Sequence, residues 1–294
     1  MKILKFVFFI AALIVPNIVV EAQQKYALLI GISDYGNKEE NPDRWSNISG
    51  SNDVKLLTPL LERQGFTISS LTDAKATYSA IIKALNNLVK SCNQGDLVYL
   101  HFSMHGQPVE DLNGDEADGW DEALIPYDAQ MRYESGVYEG DKHLLDDTLE
   151  QYFSNIRSKL GIKGQLYVVF DACHSGTASR GENEHIRGVK EGFTRSGKDY
   201  TPDRTRETND YFRIPTKAGQ SPVTLIEACR SYQQNKEIRE RETNIWYGSL
   251  SYYVAQTIKS QKLDKDGEWI GTVVALMTND RRLRMQNVVI ETSK

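Results

Sequence analysis

The sequence predicts an α/β fold in which helices cover both faces of a mostly parallel sheet. Short apolar runs that end in polar or glycine-containing loops alternate with segments whose apolar residues recur at helical spacing. Strands that alternate with helices imply βαβ units, whose crossover helices lie on the faces of a parallel sheet. The composition, 40% hydrophobic and 26% charged, is that of an ordinary globular protein.

The first strand is predicted at residues 25–32, an apolar run that a polar loop follows. A helix is predicted at 52–64, because its apolar residues have helical spacing and Gly65 can end it as a C-cap. By the same criteria the later elements are strand 66–71, helix 76–90, strand 96–102, helix 146–160, strand 165–170, strand 223–228 and helix 247–259.

The N-terminal residues 1–22 have the pattern of a secretory signal peptide. Two lysines precede an unbroken run of ten apolar residues at 6–15, Pro16 follows, and small residues stand near position 22. A run of this length falls short of the roughly 20 residues that span a bilayer. We therefore expect export to the periplasm or the extracellular space, and no stable membrane association after the signal is cleaved.

Charge and cysteine content exclude two further classes of protein. A net charge of −5 gives no basic surface for nucleic acid, so no nucleic-acid partner is expected. Three cysteines are too few for a disulfide framework in an exported chain of this length, and an odd number leaves at least one free thiol.

The chain after the signal, residues 23–294, is predicted to form one domain in two parts, 23–176 and 223–294. The tract between them, 177–222, is polar and has hardly any periodic apolar residues. A connection of this length without regular structure is unusual in a compact domain. We interpret it as a flexible linker.

Cys173 is the candidate nucleophile. It follows the strand predicted at 165–170, and catalytic groups of parallel sheets lie in the loops beyond the carboxyl ends of strands. The small residues and the glycine after it leave room for a peptide backbone and predict an exposed sulfur. The alternative interpretation is a buried structural cysteine, which is the commonest role of the residue.

His105 is the candidate acid/base partner, because it follows the neighbouring strand 96–102 and stands beside Gly106. An imidazole next to a thiol favours the reactive thiolate and can protonate a leaving amine. His101 lies within an apolar strand and is predicted to be a core residue, whereas His143 and His185 are placed in polar loops. The cysteine and histidine spacings do not fit a zinc site.

The ordered motifs resemble those of the caspase superfamily, and most closely those of type I metacaspases and bacterial caspase-like proteins. The similarity runs in order from about residue 25 to about residue 260. The blocks that carry it are Tyr26-Ala-Leu-Leu-Ile-Gly-Ile32, Ser51-Asn-Asp-Val54, Ser103-Met-His-Gly106, Asp118-Gly-Trp-Asp-Glu122 with Pro126-Tyr-Asp128, Asp171-Ala-Cys-His-Ser-Gly176, and Ala228-Cys-Arg230 with Gln233-Gln234 before Gly248-Ser-Leu-Ser251.

The resemblance implies a caspase-like three-layer α/β/α sandwich with a mostly parallel six-stranded sheet. It also implies a cysteine endopeptidase that uses a Cys-His dyad on polypeptide substrates, with an oxyanion hole from the backbone N–H groups of Gly106 and Cys173. The pocket for the residue before the cut would hold Asp53, Ser103 and Asp171, two carboxylates and a hydroxyl that suit Arg or Lys. An alternative role for Asp53 is to cap the helix near Val54.

The polar linker could adopt the extended form that a protease cleft accepts. Its basic residues are therefore candidate sites of self-cleavage: Arg180, Arg187, Lys190, Arg195, Lys198, Arg204 and Arg206. The resemblance also implies a metal site. Calcium is a candidate cofactor that catalysis does not require, and Asp121, Asp146 and Asp147 occupy the places of an acidic calcium cluster. Arg180 stands about where another carboxylate is expected, and its charge would weaken such a site.

A second function stays open from the sequence: a catalytically silent caspase-like module that binds peptides without cutting them. The presence of both Cys173 and His105 favours the enzyme.

Overall fold

The computed structural model describes residues 23–36, 41, 43–114, 116, 118–173, 186–189, 191–202 and 210–293. Outside these residues lie the predicted signal peptide, His185 and four of the candidate cleavage sites, Arg180, Lys190, Arg204 and Arg206. The thirteen strands of this part of the chain are β1 (Lys25–Gly31), β2 (Thr67–Thr72), β3 (Leu97–Ser103), β4 (Gly106–Glu110), β5 (Trp120–Leu124), β6 (Leu144–Leu145), β7 (Gln165–Asp171), β8 (Ile186–Arg187), β9 (Tyr211–Arg213), β10 (Val223–Glu227), β11 (Asn235–Arg239), β12 (Trp246–Gly248) and β13 (Val289–Thr292).

Five α-helices accompany the strands in the described residues: α1 (Gly50–Arg63), α2 (Tyr78–Ser91), α3 (Asp146–Leu160), α4 (Ser249–Ile258) and α5 (Glu268–Asn279). The predicted helices lie within a few residues of α1 to α4. None of the helices in the described part of the chain is long and apolar enough to cross a membrane.

The main sheet has the strand order β2-β1-β3-β7-β10-β13-β9. Its neighbours run parallel except β10 and β13, which are antiparallel. The predicted mostly parallel α/β sheet is therefore confirmed. Within the described residues it has seven strands rather than six, because the three-residue β9 from the linker tract adds to the edge beside β13.

Two apolar cores cover the two faces of this sheet. Along β3, Val98 and Leu100 belong to the core with α2 and α3, whereas Leu97 and Tyr99 belong to the core with α1, α4 and α5. The alternation follows from the two-residue period of side chains in a strand. Because β3 and β7 are apolar on both faces, their carboxyl ends are held firmly at one edge of the sandwich.

Two small antiparallel sheets lie outside the main sheet, with the orders β4-β5-β6 and β12-β11-β8. They belong to polar stretches that lack the apolar run of a buried strand. Parts of the tract 177–222 are likewise ordered rather than linker-like, since they form β8 and β9. These strands are two and three residues long, too short to give a periodic signal.

Candidate active site

The site lies where β3 and β7 end side by side. Ser103 pairs in register with Asp171, which are the last residues of the two strands. His105 and Cys173 each follow two residues later, at the carboxyl edge of the parallel sheet. The topology therefore brings together the two residues that the sequence places at neighbouring strand ends.

His105 is fully buried and both of its ring nitrogens contact main chain. Its Nε2 lies 2.8 Å from the carbonyl oxygen of Ser46, which only accepts, so Nε2 carries the proton. Its Nδ1 accepts from the backbone N–H of Gly188 at 2.9 Å. The rings of Tyr35 and Trp45 lie 5.2 and 5.1 Å from the imidazole and fix its plane. The neutral Nε2–H tautomer leaves Nδ1 as the acceptor that faces the site.

Cys173 is 1% exposed, and its thiol donates to the carbonyl oxygen of Gln233 at 2.8 Å. The Cys229 thiol lies 3.6 Å from the same oxygen. A hydrogen bond with Cys173, together with burial, raises the pKa of Cys229. The two thiols thus share one environment, which the sequence did not indicate because the residues are 56 positions apart.

The expected exposure of Cys173 and His105 is wrong for this structure. The segment of residues 186–188, here called the occupying segment, covers both side chains. A Cβ atom at Gly188 would lie 2.4 Å from the carbonyl oxygen of Cys173, and the φ angle there is +115°. Only glycine fits so close a passage and so unusual a backbone angle.

Arg187 of the occupying segment fills the predicted pocket with a side chain that is 0% exposed. Its Nη2 lies 2.7 Å from Asp53 Oδ2, and its Nη1 donates to Ser103 Oγ at 2.7 Å. Nη1 also donates to the carbonyl oxygen of Asp171 at 2.9 Å and lies 3.3 Å from its Oδ1. The structure thus brings together the three predicted pocket residues around one guanidinium group.

Glu237, on β11, is a fourth pocket residue that sequence reasoning missed. Its Oε1 accepts from Arg187 Nε at 3.1 Å and from Nη2 at 3.0 Å. Each nitrogen of the guanidinium group therefore donates to the pocket. Asn235 and Glu237, which alternate along β11, both point inwards, but a polar strand of this kind gives no apolar signal.

Burial and charge oppose each other in this pocket. Three carboxylates surround one cation away from water, so burial raises the pKa of Asp53 to about 7, while the charge of Arg187 acts in the opposite direction. Burial lowers the pKa of Arg187, but the charges of Asp171, Asp53 and Glu237 outweigh this effect and raise it. The guanidinium therefore stays charged, and it compensates part of the cost of the buried carboxylates.

Asp53 and Asp171 also have partners in the surrounding frame. Asp53 lies in the first turn of α1 rather than at its cap, and its Oδ1 accepts from the N–H of Gly248 at 3.0 Å. Asp171 Oδ2 accepts from the N–H and the hydroxyl of Ser251 at 2.7 and 2.6 Å. The pocket carboxylates are thus positioned by main chain and hydroxyl groups as well as by Arg187.

The remaining histidines of the described chain are structural. His101 lies in the core, with Nδ1 2.9 Å from the hydroxyl oxygen of Tyr99 and Nε2 2.9 Å from Ser251 Oγ, as its apolar strand predicts. His143 lies in a loop, as predicted, but it is buried there and contacts the Tyr138 hydroxyl at 3.0 Å and Gln107 Oε1 at 3.0 Å.

The predicted calcium residues line one cleft of about 650 Å³. Asp121 lies on β5, and Asp146 and Asp147 begin α3. Within the described ranges, no three His, Cys, Asp or Glu side chains are grouped so that they could hold a metal ion. The residues present do not fit calcium in this arrangement, and its role stays a prediction. Gly106 begins β4 beside His105, and its oxyanion role also stays a prediction.

A three-layer α/β/α sandwich with a cysteine and a histidine at neighbouring strand ends defines the caspase-like class of proteins. The family model "Metacaspase, peptidase C14 domain" matches residues 25–180, and the chain belongs to this family.

Individual relatives agree with this assignment. The chain is 32% identical over 166 residues to Metacaspase-1A of Aspergillus terreus, a match that covers 53% of this chain and 36% of the relative. It is 36% identical over 163 residues to Metacaspase-2 of Arabidopsis thaliana, with 52% and 35% covered. The matched part thus spans about a third of the length of these curated relatives.

The fold has a relative among solved structures. The crystal structure of protein GSU0716 from Geobacter sulfurreducens superposes with a TM-score of 0.62 at 19% identity, and the match covers 92% of this chain and 93% of that chain. This likeness concerns the fold alone.

Proposed function

We propose that the protein is a cysteine endopeptidase that cuts polypeptides after a basic residue, Arg or Lys. The observation that carries this proposal is the position of the occupying segment, which lies in the site as a peptide substrate would. Arg187 fills the carboxylate pocket, and the next amide, the N–H of Gly188, lies 2.9 Å from His105 Nδ1. Ile186 and Arg187 pair antiparallel with Lys236 and Asn235 of β11, as an extended peptide adds a strand to a sheet edge.

The chemistry follows from these positions. The Cys173 thiol gives its proton to His105 Nδ1, and the thiolate attacks the carbonyl carbon of the basic residue. His105 then returns the proton to the nitrogen of the following residue, the C–N bond breaks, and an acyl-enzyme forms that water hydrolyses. The carbonyl of Ser46 holds the imidazole by its Nε2–H throughout, so that Nδ1 alone exchanges the proton.

A peptide-library profile of the wild type and of Cys173→Ala tests this function. We expect cleavage after Arg or Lys by the wild type and none by Cys173→Ala. A preference for Asp or for a large apolar residue would overturn the pocket assignment, although the Cys-His pair could still act.

We also propose that the protein cuts itself in the linker, at the bond between Arg187 and Gly188. This proposal is supported by the position of the bond: Arg187 on one side of it fills the pocket, and the N–H of Gly188 on the other side contacts His105. Prolonged incubation should convert the wild type into two fragments, whereas Cys173→Ala stays whole. A single band for both proteins would contradict self-cleavage.

The proposed enzyme acts outside the cytoplasm. This part of the proposal is supported by the basic start and the apolar run of residues 1–22. Expression of the full chain in a bacterial host with separation of the periplasmic fraction tests it. A mature N-terminus near residue 23 in that fraction is the expected result, and an unprocessed chain in the cytoplasm would contradict it.

The silent peptide-binding module is the second candidate, and the closed site favours it. Arg187 fills the carboxylate pocket and Gly188 donates to His105, as a bound peptide would. Slow alkylation of Cys173 cannot separate the two functions, because the occupying segment buries this thiol in either case. Cleavage of Arg peptides by the wild type would exclude the silent module. If the Arg187→Ala protein, whose pocket is open, also fails to cleave Arg peptides, the silent module is supported.

A further inference from the structure

We propose that Glu237 makes the pocket prefer arginine to lysine. This inference rests on the proposed function and names the residue that narrows its specificity. Glu237 is the pocket residue that contacts the Nε of Arg187, at 3.1 Å. Asp53 and Ser103 contact the terminal nitrogens, at 2.7 Å each.

The carboxylate of Glu237 is held in place by Ser49 as well as by Arg187. Its Oε1 accepts from the backbone N–H of Ser49 at 2.6 Å, and its Oε2 accepts from the Ser49 hydroxyl at 2.9 Å. Ser49 stands immediately before α1, whose N-terminus favours a negative charge. Both carboxylate oxygens are thus held by Ser49, which is not part of the occupying segment, and the Glu237 side chain is 0% exposed.

The guanidinium group matches this arrangement because its donors point in fixed directions within one plane. Glu237 accepts along the edge formed by Nε and Nη2, Asp53 accepts from Nη2, and Ser103 accepts from Nη1. A lysine carries all its donors on one nitrogen and has no counterpart of the Nε–H. With lysine bound, the buried carboxylate of Glu237 would lose the hydrogen bond from the Nε–H. The loss of a hydrogen bond costs more free energy in a desolvated pocket than in water.

The other pocket residues provide a matched control. Asp53 contacts the end of the side chain, where a lysine ammonium also arrives, so its charge should assist both residues. Removal of the Asp53 charge should lower the cleavage of Arg and Lys peptides together. Removal of Glu237 should instead lower the cleavage of Arg peptides more.

The first experiment measures kcat/KM for two peptides that differ only in Arg or Lys before the cut. The proteins are the wild type, Glu237→Ala, Glu237→Gln and Asp53→Asn, and thermal melting verifies that each folds. We expect Glu237→Ala to lower the Arg-to-Lys ratio at least tenfold, which corresponds to about 1.4 kcal/mol. Glu237→Gln, which keeps the shape, should lower it in the same direction, and Asp53→Asn should leave it within about twofold.

A ratio that stays within about twofold of the wild type in both Glu237 variants would overturn the proposal. If Glu237→Ala fails to fold, Glu237→Gln decides alone, because an unchanged ratio there also overturns it.

The second experiment needs no cleavage and so separates this inference from the proposed function. In the full-length Cys173→Ala protein, Arg187→Lys and Glu237→Gln are combined in a double-mutant cycle of melting temperature. Arg187→Lys should lower Tm by about 3 °C or more when Glu237 is present, and clearly less in the Glu237→Gln protein.

Equal effects of Arg187→Lys in both backgrounds would show that Glu237 does not distinguish the two side chains. A wild type that cuts neither peptide would overturn the proposed function, and the thermal cycle would still decide the role of Glu237.

Discussion

The strands that precede the proposed catalytic pair, Cys173 and His105, and the occupying segment that covers this pair are held in different ways. β7 is seven residues long, lies between two parallel neighbours and is almost entirely buried. β8 is two residues long and forms two register pairs with β11. Its hold depends on one buried guanidinium and on the carboxylates around it rather than on an apolar core.

The difference teaches how a closed site can belong to an enzyme. The proposed catalytic pair directly follows two buried strands, so its geometry should survive when the occupying segment leaves. The segment is bound by polar contacts of the kind that a substrate makes, so it can be exchanged for a substrate without unfolding the sheet. Mutations in the two regions, here called the core side (the buried strands with Cys173 and His105) and the cover side (the occupying segment), should therefore have different effects.

The largest effect is expected on the core side, at the catalytic pair. Cys173→Ala should abolish peptide cleavage, and His105→Ala should lower it by several orders of magnitude, because they remove the nucleophile and its proton partner. Turnover is measured on an Arg peptide, with melting temperature as the check on folding. Wild-type turnover in either variant would contradict the proposed mechanism.

The cover side should show the opposite response. Arg187→Ala removes the cation that holds the occupying segment, so Cys173 should be alkylated by iodoacetamide at least about tenfold faster than in the wild type. Peptide mass mapping measures this rate against Cys92, which is buried and whose pKa burial raises to about 12. An unchanged rate would mean that the segment stays in place without its charge, and the contrast between core and cover would fail.

The pH dependence of stability should report the buried pocket. Burial raises the pKa of Asp53 to about 7, so the folded protein keeps a proton that the unfolded chain loses near pH 4. The stabilisation from this proton is present below pH 4 and is lost as the pH rises through 7. Denaturant unfolding of Cys173→Ala should therefore show stability falling between about pH 4 and pH 7, and Asp53→Asn should flatten that fall.

The control for this measurement is Asp266→Asn, which removes a carboxylate at an exposed position. If the Asp53 and Asp266 variants show the same slope as their parent, the pocket carboxylate does not titrate in this range.

The smallest effect is expected far from the site. Cys92 follows α2 and is 2% exposed in the core. Cys92→Ala should cost about 1 kcal/mol of stability through lost packing and leave kcat/KM unchanged. A large loss of turnover with an intact fold would show that the core and the site are coupled more tightly than the structure suggests.

The core side of the molecule was predictable because its signals are local. Leu97 to Ser103 and Gln165 to Asp171 are apolar runs, and the parallel pairing of such strands places His105 and Cys173 at one edge. The pocket carboxylates Asp53 and Asp171 came from matched motifs rather than from periodicity.

The cover side could not be predicted by the same means. β8 is short and β11 is polar, and their paired residues lie 48 and 50 positions apart in sequence, so no periodic pattern marks them. Glu237 acquires its role only when β11 lies beside α1 and meets Ser49. Arg187 was one of seven basic residues predicted as cleavage sites in the linker, and its burial distinguishes it from Arg195, which is exposed.

The central claim is that the occupying segment lies in the site as a substrate does. N-terminal sequencing of the fragments that the purified wild type forms on long incubation tests it most directly, with Cys173→Ala and Arg187→Ala as controls. The account predicts a new N-terminus at Gly188 followed by Val189 in the wild type, and its absence in both variants. A cut elsewhere in the linker with the Arg187–Gly188 bond intact, or the same cut in Cys173→Ala, would contradict it.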